Sequence, residues 1–204
     1  MERLEDRAEE DIFSKQGETS KEAGSAYHAF LEIFDFAFLY GEDGRILSKT
    51  ELTELVEKIV NEGGMVEMKQ LSVAKLVDIL SNPVFQSLQG KRLYREQKFL
   101  VTLPVEDTYA KSEGADARLA EKRGEEMIFQ GAIDLLALDE FGNAQIIDYK
   151  YSKGSAEYLR QHYRPQLDLY KKAVAKILHI PEENISTSII NIYHGFQVDM
   201  DTFS

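Results

Sequence analysis

The sequence contains no cysteine. Disulfides, thiolate zinc sites, iron–sulfur clusters and a cysteine nucleophile are therefore excluded together, and a reducing compartment is the natural setting. There is no apolar run of about 18 residues and no leader of charged, apolar and small residues, so the sequence predicts neither a membrane span nor a secretory signal. The expectation is a soluble, cytoplasmic chain with no membrane partner. A G-x-x-x-x-G-K-[ST] phosphate loop is also missing, so these residues do not encode ATP hydrolysis. Positive charge is in the minority, with 24 Lys and Arg against 36 Asp and Glu and a net charge of -12. Such a surface repels polyanions over most of its area and argues against simple coating of nucleic acid.

What is present is the balance of a globular domain: 204 residues, 43% hydrophobic and 29% charged. That length can bury about 70% of the surface exposed by the unfolded chain, so a core forms without staples. Residues 1–18 are dense in charge and poor in apolar spacing and read as a tail, leaving one domain over 19–204. Thr19 and Glu22 can form a capping box, and Tyr27, Phe30, Leu31, Phe34 and Phe38 then recur at helical spacing. Ser48 and Glu51 repeat the signal ahead of Leu52, Leu55, Val56, Ile59 and Val60, with Gly63-Gly64 as the stop. A third helix carries Val73, Leu76, Val77 and Leu80 and ends at Asn82-Pro83, with a short turn over Val84 to Leu88.

After Gly90 the pattern changes to strands over 93–104, 127–139 and 144–150, with a charged loop over 105–126 between the first two. A helix is predicted over 156–178 with Leu167, Tyr170, Val174 and Ile177 facing inward, its regular part beginning near Pro165. The segment 186–200 reads as one or two further strands. In the third strand both alternating sets, Ile146 with Asp148 and Ile147 with Tyr149, include apolar groups, so both faces are expected to be covered. The result is an α/β fold: a central mixed sheet flanked by helices, with a helical N-terminal part.

The hairpin over Glu140-Phe141-Gly142-Asn143 carries the chemistry. A turn centred on Phe141 puts Asp134 directly opposite Asp148. Directly opposed side chains have Cβ atoms about 5 Å apart, and two unit charges there repel by roughly 3 kcal/mol at an effective dielectric near 20. Ile146, Leu136 and Leu138 share that face and limit the screening. One Asp must be protonated, or a cation must sit between them. Lys150 lies on the Asp148 face, so a buried Asp/Lys ion pair is one solution. A hard divalent cation among clustered oxygens, with Lys150 holding or deprotonating an attacking water, is the other. Gly131 and Ala132 leave room beside the strand for it.

Asp134 followed by Asp148-Tyr149-Lys150 resembles the PD-(D/E)XK nuclease motif, although the Pro of that name has no counterpart. More narrowly, Gly24-Ser25-Ala26-Tyr27-His28, Arg95-Glu96 before Phe99, Gly131-Ala132-Ile133-Asp134, Ile146 to Lys150 and Gln166-Leu167-x-x-Tyr170 resemble, in order, the C-terminal nuclease domain of the AddA family. These are the RecB-like subunits of bacterial helicase–nucleases. The resemblance implies a restriction-endonuclease-like fold, with His28, Asp134, Asp148 and the Tyr149 backbone carbonyl as metal ligands and Lys150 as the catalytic lysine. It also implies that Gln166 and Tyr170 assist near the site and that Glu96 supports it.

Mg²⁺ or Mn²⁺ is the implied cofactor, an imidazole ligand shifting the preference toward Mn²⁺. The reaction implied is DNA hydrolysis to 5′-phosphate and 3′-hydroxyl ends, as an exonuclease in double-strand break repair and recombination. The substrate would be a single strand fed by a helicase, either an AddA-type helicase part or an AddB-like partner. Lys153, Arg160, Arg164, Lys171 and Lys172 form a local basic edge for that DNA. Without the resemblance, His28 reads more often as a packed or exposed histidine, Gln166 and Tyr170 equally as one face of an amphipathic helix, and Glu96 equally as a partner for Lys98 or the strand neighbours of Arg95. A nuclease-like module that only docks on a helicase is the alternative function, favoured by the acidic surface.

Overall fold

The computed structural model describes residues 22–62, 71–105 and 124–201. The expected tail over 1–18, the Thr19 capping box, the Gly63-Gly64 stop and most of the 105–126 loop lie outside those residues. The chain divides into two compact units. One comprises Met1–Gln86, Tyr149–Lys153 and Asn191–Phe196, the other Ser87–Asp148, Gly154–Ile190 and Gln197–Ser204.

The first unit is helical. Helix α1 covers 22–33, followed by a 3-10 turn at Phe36–Leu39, α2 at Lys49–Glu62, α3 at Val73–Leu80 and a short α4 at Pro83–Gln86. Helix α2 begins with the expected capping box: the Ser48 amide donates to Glu51 Oε2 at 2.8 Å, and the Glu51 amide donates to Ser48 Oγ. Ser72 caps α3 by accepting from the Lys75 amide. The core is aromatic: Phe36 stacks on Phe85 at 5.0 Å between centroids, and Phe30 stacks on Phe34 at 5.4 Å. Phe38 departs from its expected place on the buried face of α1. The helix stops before it, Asp35 caps the 3-10 turn instead, and Phe38 is 52% exposed.

In the second unit, strands β1 (Arg92–Pro104), β2 (Glu126–Leu138), β3 (Ala144–Lys150), β4 (Ile185–Asn191) and β5 (Phe196–Asp199) form a five-stranded mixed sheet in the order β1-β2-β3-β4-β5. The last residues of β3 and β4 belong to the first unit. Both alternating sets of β3 are buried, Ile146 and Asp148 as well as Ile147 and Tyr149. Helix α5, Ala156–Leu178, packs Ala173 against Val101 and Leu103 of β1, with Phe99, Phe129 and Leu169 around them. It spans the residues expected for it, starting at the Ser155 cap, and runs through Pro165, whereas the sequence suggests that its regular part begins near the proline. A proline inside a helix costs about 3 kcal/mol, and here Ser155, accepting from the Tyr158 amide, holds the first turns in place. Ile177, expected inside, is 45% exposed because it falls in the last turn of α5.

The β2–β3 turn is clamped by one carboxylate. Asp139 Oδ1 accepts from the amides of Phe141 and Asn143 at 2.9 and 2.8 Å, and Oδ2 accepts from Asn143 Nδ2 at 2.8 Å. Gly142 takes φ 86°, a left-handed value that suits glycine. The Asn143 side chain, then its backbone amide, holds the Asp139 carboxyl below the usual carboxylate range. A lowered folded-state value stabilises at pH above the unfolded value of about 4 and ceases to do so as pH falls through the lowered one. Wild type is therefore expected to melt above Asp139→Ala at neutral pH. The two melting temperatures should converge in acid, a difference that pH-resolved thermal melts measure.

Candidate active centre

The register places the carboxylates. The β2–β3 ladder pairs Leu138 with Ala144, Ala137 with Gln145, Leu136 with Ile146 and Leu135 with Ile147, as a turn centred on Phe141 requires. One step further along the same strands, Asp134 is level with Asp148. The β1–β2 ladder pairs Arg95 with Leu135 and Gln97 with Ile133, so Glu96 is level with Asp134. Glu96 sits at φ 45°, a left-handed conformation uncommon for a residue with a side chain. The count of paired residues is unchanged across it, so the strain is local. A carboxylate oxygen of Glu96 lies within 4.8 Å of one from Asp134. Asp148 is 3% exposed.

Three acidic residues thus stand level on three adjacent strands. Sequence alone assigns Glu96 only a supporting place; the structure brings its carboxylate beside that of Asp134. Its signal, an acidic residue in an otherwise apolar or basic strand, has no register to fix it, because the segment between β1 and β2 is too long for turn arithmetic.

Helix α5 brings Gln166 and Tyr170 together: Gln166 Nε2 donates to Tyr170 Oη at 2.9 Å. The Tyr170 ring meets Phe99 edge-on at 5.4 Å, and both rings fill the space left by Gly131. A Cβ on Gly131 would lie 2.7 Å from Phe99 Cζ and 3.1 Å from Tyr170 Cε1. The room expected beside Gly131 is therefore taken by the rings that hold Tyr170 over β2.

In the first unit, His28 on α1 and the Tyr149 carbonyl come together, with His28 Nε2 2.9 Å from Tyr149 O. The His28 ring also meets the Tyr149 ring edge-on at 5.4 Å. The Gly24-to-His28 segment is explained by this end of β3. A Cβ on Gly24 would lie 3.0 Å from Tyr151 Cβ, Tyr27 stacks on Tyr151 at 6.4 Å, and His28 engages Tyr149. Lys150 lies between those two tyrosines at the last position of β3, with the parity of Asp148.

The expected basic edge is only partly available. Arg160 Nε donates to the Asp199 carbonyl at 3.2 Å, and Lys171 is paired with Asp201 at 2.9 Å. Lys153 is exposed, with its Nζ 5.8 Å from the centre of the Tyr193 ring. Arg164 is half-buried on α5.

The donor set fits a hard divalent cation in chemistry. Glu96, Asp134 and Asp148 supply oxygens. In the first unit, the His28 imidazole and the Tyr149 carbonyl are joined by a hydrogen bond of 2.9 Å. No helix among the described residues is long and apolar enough to cross a membrane.

This sheet, with its acidic row followed on β3 by Lys150, is the arrangement that the resemblance to a nuclease class leads one to expect. The family model of the PD-(D/E)XK nuclease superfamily matches residues 1–200, and the chain belongs to that superfamily, whose nucleases are metal-dependent. Within it, the chain is similar to the AddA proteins of several bacteria, which are ATP-dependent helicase/nuclease subunits. Identity is 30% over 160 residues with the protein of Carboxydothermus hydrogenoformans, covering 76% of this chain and 12% of that one. The Heliobacterium modesticaldum protein is also 30% identical, over 175 residues, covering 79% and 11%. That of Bacillus licheniformis is 26% identical over 179 residues, covering 81% and 13%. The chain thus spans only about an eighth of the length of these curated relatives.

Filling the space at Gly131 tests how Tyr170 is held. Gly131→Val is expected to overpack the Phe99–Tyr170 contact and cost about 1–3 kcal/mol, read by urea denaturation. An unchanged midpoint would show that the rings do not depend on that gap.

Proposed function

We propose that residues 19–204 form a Mg²⁺- or Mn²⁺-dependent deoxyribonuclease domain that hydrolyses phosphodiester bonds of single-stranded DNA as an exonuclease. The observation that carries the reading is the level row of Glu96, Asp134 and Asp148 followed on the same strand by Lys150. Membership of the PD-(D/E)XK superfamily supports it. His28, Asp134, Asp148 and the Tyr149 carbonyl hold the cation, with Glu96 beside them. When bound, the cation supplies stabilisation of the charge that develops on the scissile phosphate oxygen.

The chain's own groups do the rest. Lys150 donates a hydrogen bond from Nζ that holds the attacking water or, as the neutral amine, takes a proton from it as the oxygen approaches phosphorus. The Gln166–Tyr170 pair fixes polar groups next to the strand to be cut, so they need no reorganisation during the reaction. Lys153, Arg160 and Arg164 line the approach with positive charge on a chain whose net charge is -12. That imbalance means a partner must deliver the DNA. The relatives' description as helicase/nuclease subunits supports a helicase in that role, whether part of the same polypeptide or separate, with an AddB-like protein completing the assembly, in the cytoplasm and in double-strand break repair.

Asp148→Ala and Lys150→Ala are each expected to lower Mg²⁺- or Mn²⁺-dependent cleavage of single-stranded DNA by about 100-fold or more, with circular dichroism unchanged; EDTA is expected to abolish the wild-type activity. Retention of cleavage by both variants would overturn the site assignment. The acidic surface favours a second reading, a docking module that does not cut, and calorimetry separates the two. Mn²⁺ uptake that disappears in Asp134→Ala belongs to the nuclease.

A further inference from the structure

Beyond the end of β3 the first unit gathers aromatic rings and the Lys75 ammonium, which the hydrolytic reading leaves unused, beside Lys153, which that reading places on the DNA approach. Tyr151 follows Lys150 directly, and Tyr193 lies in the turn between β4 and β5. Their rings meet edge-on at 5.4 Å. Lys75 Nζ faces Tyr193 at 5.0 Å and Tyr151 and Tyr27 at 5.7 Å each. Lys153 Nζ faces Tyr193 from 5.8 Å. Neither lysine has a carboxylate partner among the described residues, although the chain carries 36 acidic side chains. Acidic groups are plentiful, yet two cations are held by rings.

The platform is also rigid. The turn that presents Tyr193 is closed by the Gly195 amide donating to the Asn191 carbonyl at 2.7 Å and the His194 amide donating to Asn191 Oδ1 at 3.1 Å. Asn82 Nδ2 donates to the Gly195 carbonyl at 3.0 Å and anchors the turn to the end of α3. Tyr151 is backed by Gly24 and Tyr27. Both rings stay partly exposed, and Lys153 is exposed beside them. Anchored, partly exposed rings next to cations without carboxylate partners among the described residues suit unstacked bases joined by phosphates. Stacking is tolerant of sequence, and each lysine displaces a counterion from the strand.

We propose that Tyr151 and Tyr193, with Lys75 and Lys153, form a base-stacking platform for an unpaired nucleotide adjoining the scissile phosphate, selecting single-stranded over duplex DNA. The proposal rests on the nuclease reading for its placement beside the cut, but its binding test does not need cleavage. Bases paired within a duplex have no free face to offer, so the platform discriminates by stacking and not by base identity.

The test uses the full chain in EDTA, with fluorescence anisotropy of labelled oligothymidylate and of an abasic strand of equal length. Tyr193→Ala is expected to weaken oligothymidylate binding about tenfold and to leave abasic-strand binding unchanged, while Tyr193→Phe retains both. Lys153→Ala should weaken both strands and reduce the salt dependence by slightly less than one counterion. If Tyr193→Ala does not fold, Tyr193→Leu, which fills the volume without a stacking face, takes its place with the same expectation. Equal losses on the two strands, a Tyr193→Ala loss below about twofold, or a wild type that binds no oligothymidylate would each overturn the platform. A Tyr193-dependent wild type that never cleaves with metal would sink the nuclease reading alone. Metal-dependent, Asp148-dependent cleavage without a Tyr193 effect on binding would sink the platform alone.

Discussion

Like charges held side by side are the constraint on which the rest of this structure depends. Glu96, Asp134 and Asp148 are level on neighbouring strands, and each adjacent pair of ionised carboxylates at such a spacing repels by roughly 3 kcal/mol at an effective dielectric near 20. Hydrogen-bonded strands cannot slide apart to relieve this without losing their ladder. The sheet therefore holds its acidic groups together only where a proton, a lysine or a cation offsets that repulsion. The left-handed backbone at Glu96 adds a second cost at the same level of the sheet.

Strand β3 and its continuation arrange several jobs by alternation alone. Asp148 and Lys150 share a parity and are the groups proposed for the chemistry, while Tyr149 and Tyr151 take the other and pack against neighbouring rings. Tyr149 is buried, close to Phe85 at 6.3 Å, and gives its backbone oxygen to His28. Tyr151 lies against Gly24 and Tyr27. A single extended segment thus alternates polar reacting groups with aromatic anchors, and the anchors decide where the reacting groups stop. Helix α5 does similar work over β2, where Gly131 lets two rings approach and Tyr170 is held at one end of a hydrogen bond from Gln166.

Much of this is legible from residues alone, for physical reasons that differ by element. The β2–β3 register follows from a four-residue turn, because a short connection leaves one pairing. The capping box at Ser48 and Glu51 is readable because its hydrogen bonds are local. Glu96 is underrated by sequence because its level in the sheet is set by pairing across a long intervening segment. Phe38 is misplaced because periodicity continues past the end of α1, and Ile177 because it falls in the last turn of α5, where its side chain is not covered. Pro165 suggests a boundary that the Ser155 cap overrides. The ring-bound lysines leave no trace in the sequence pattern: Lys75, Tyr151 and Tyr193 come from three separate stretches of chain, and no spacing joins them.

The Asp139 clamp has an implication for how such a protein can fail. On β3 both alternating sets include buried apolar groups, Ile146 on one and Ile147 with Tyr149 on the other, so apolar burial alone opposes a shift by a single position only weakly. Three hydrogen bonds to a surface carboxylate add to the choice of alignment. In a chain lengthened by one amino acid between Asp139 and Asn143, a slipped β3 keeps much of its apolar burial while the acids no longer face one another. Such a variant would pass an ordinary check of foldedness with its acidic row undone.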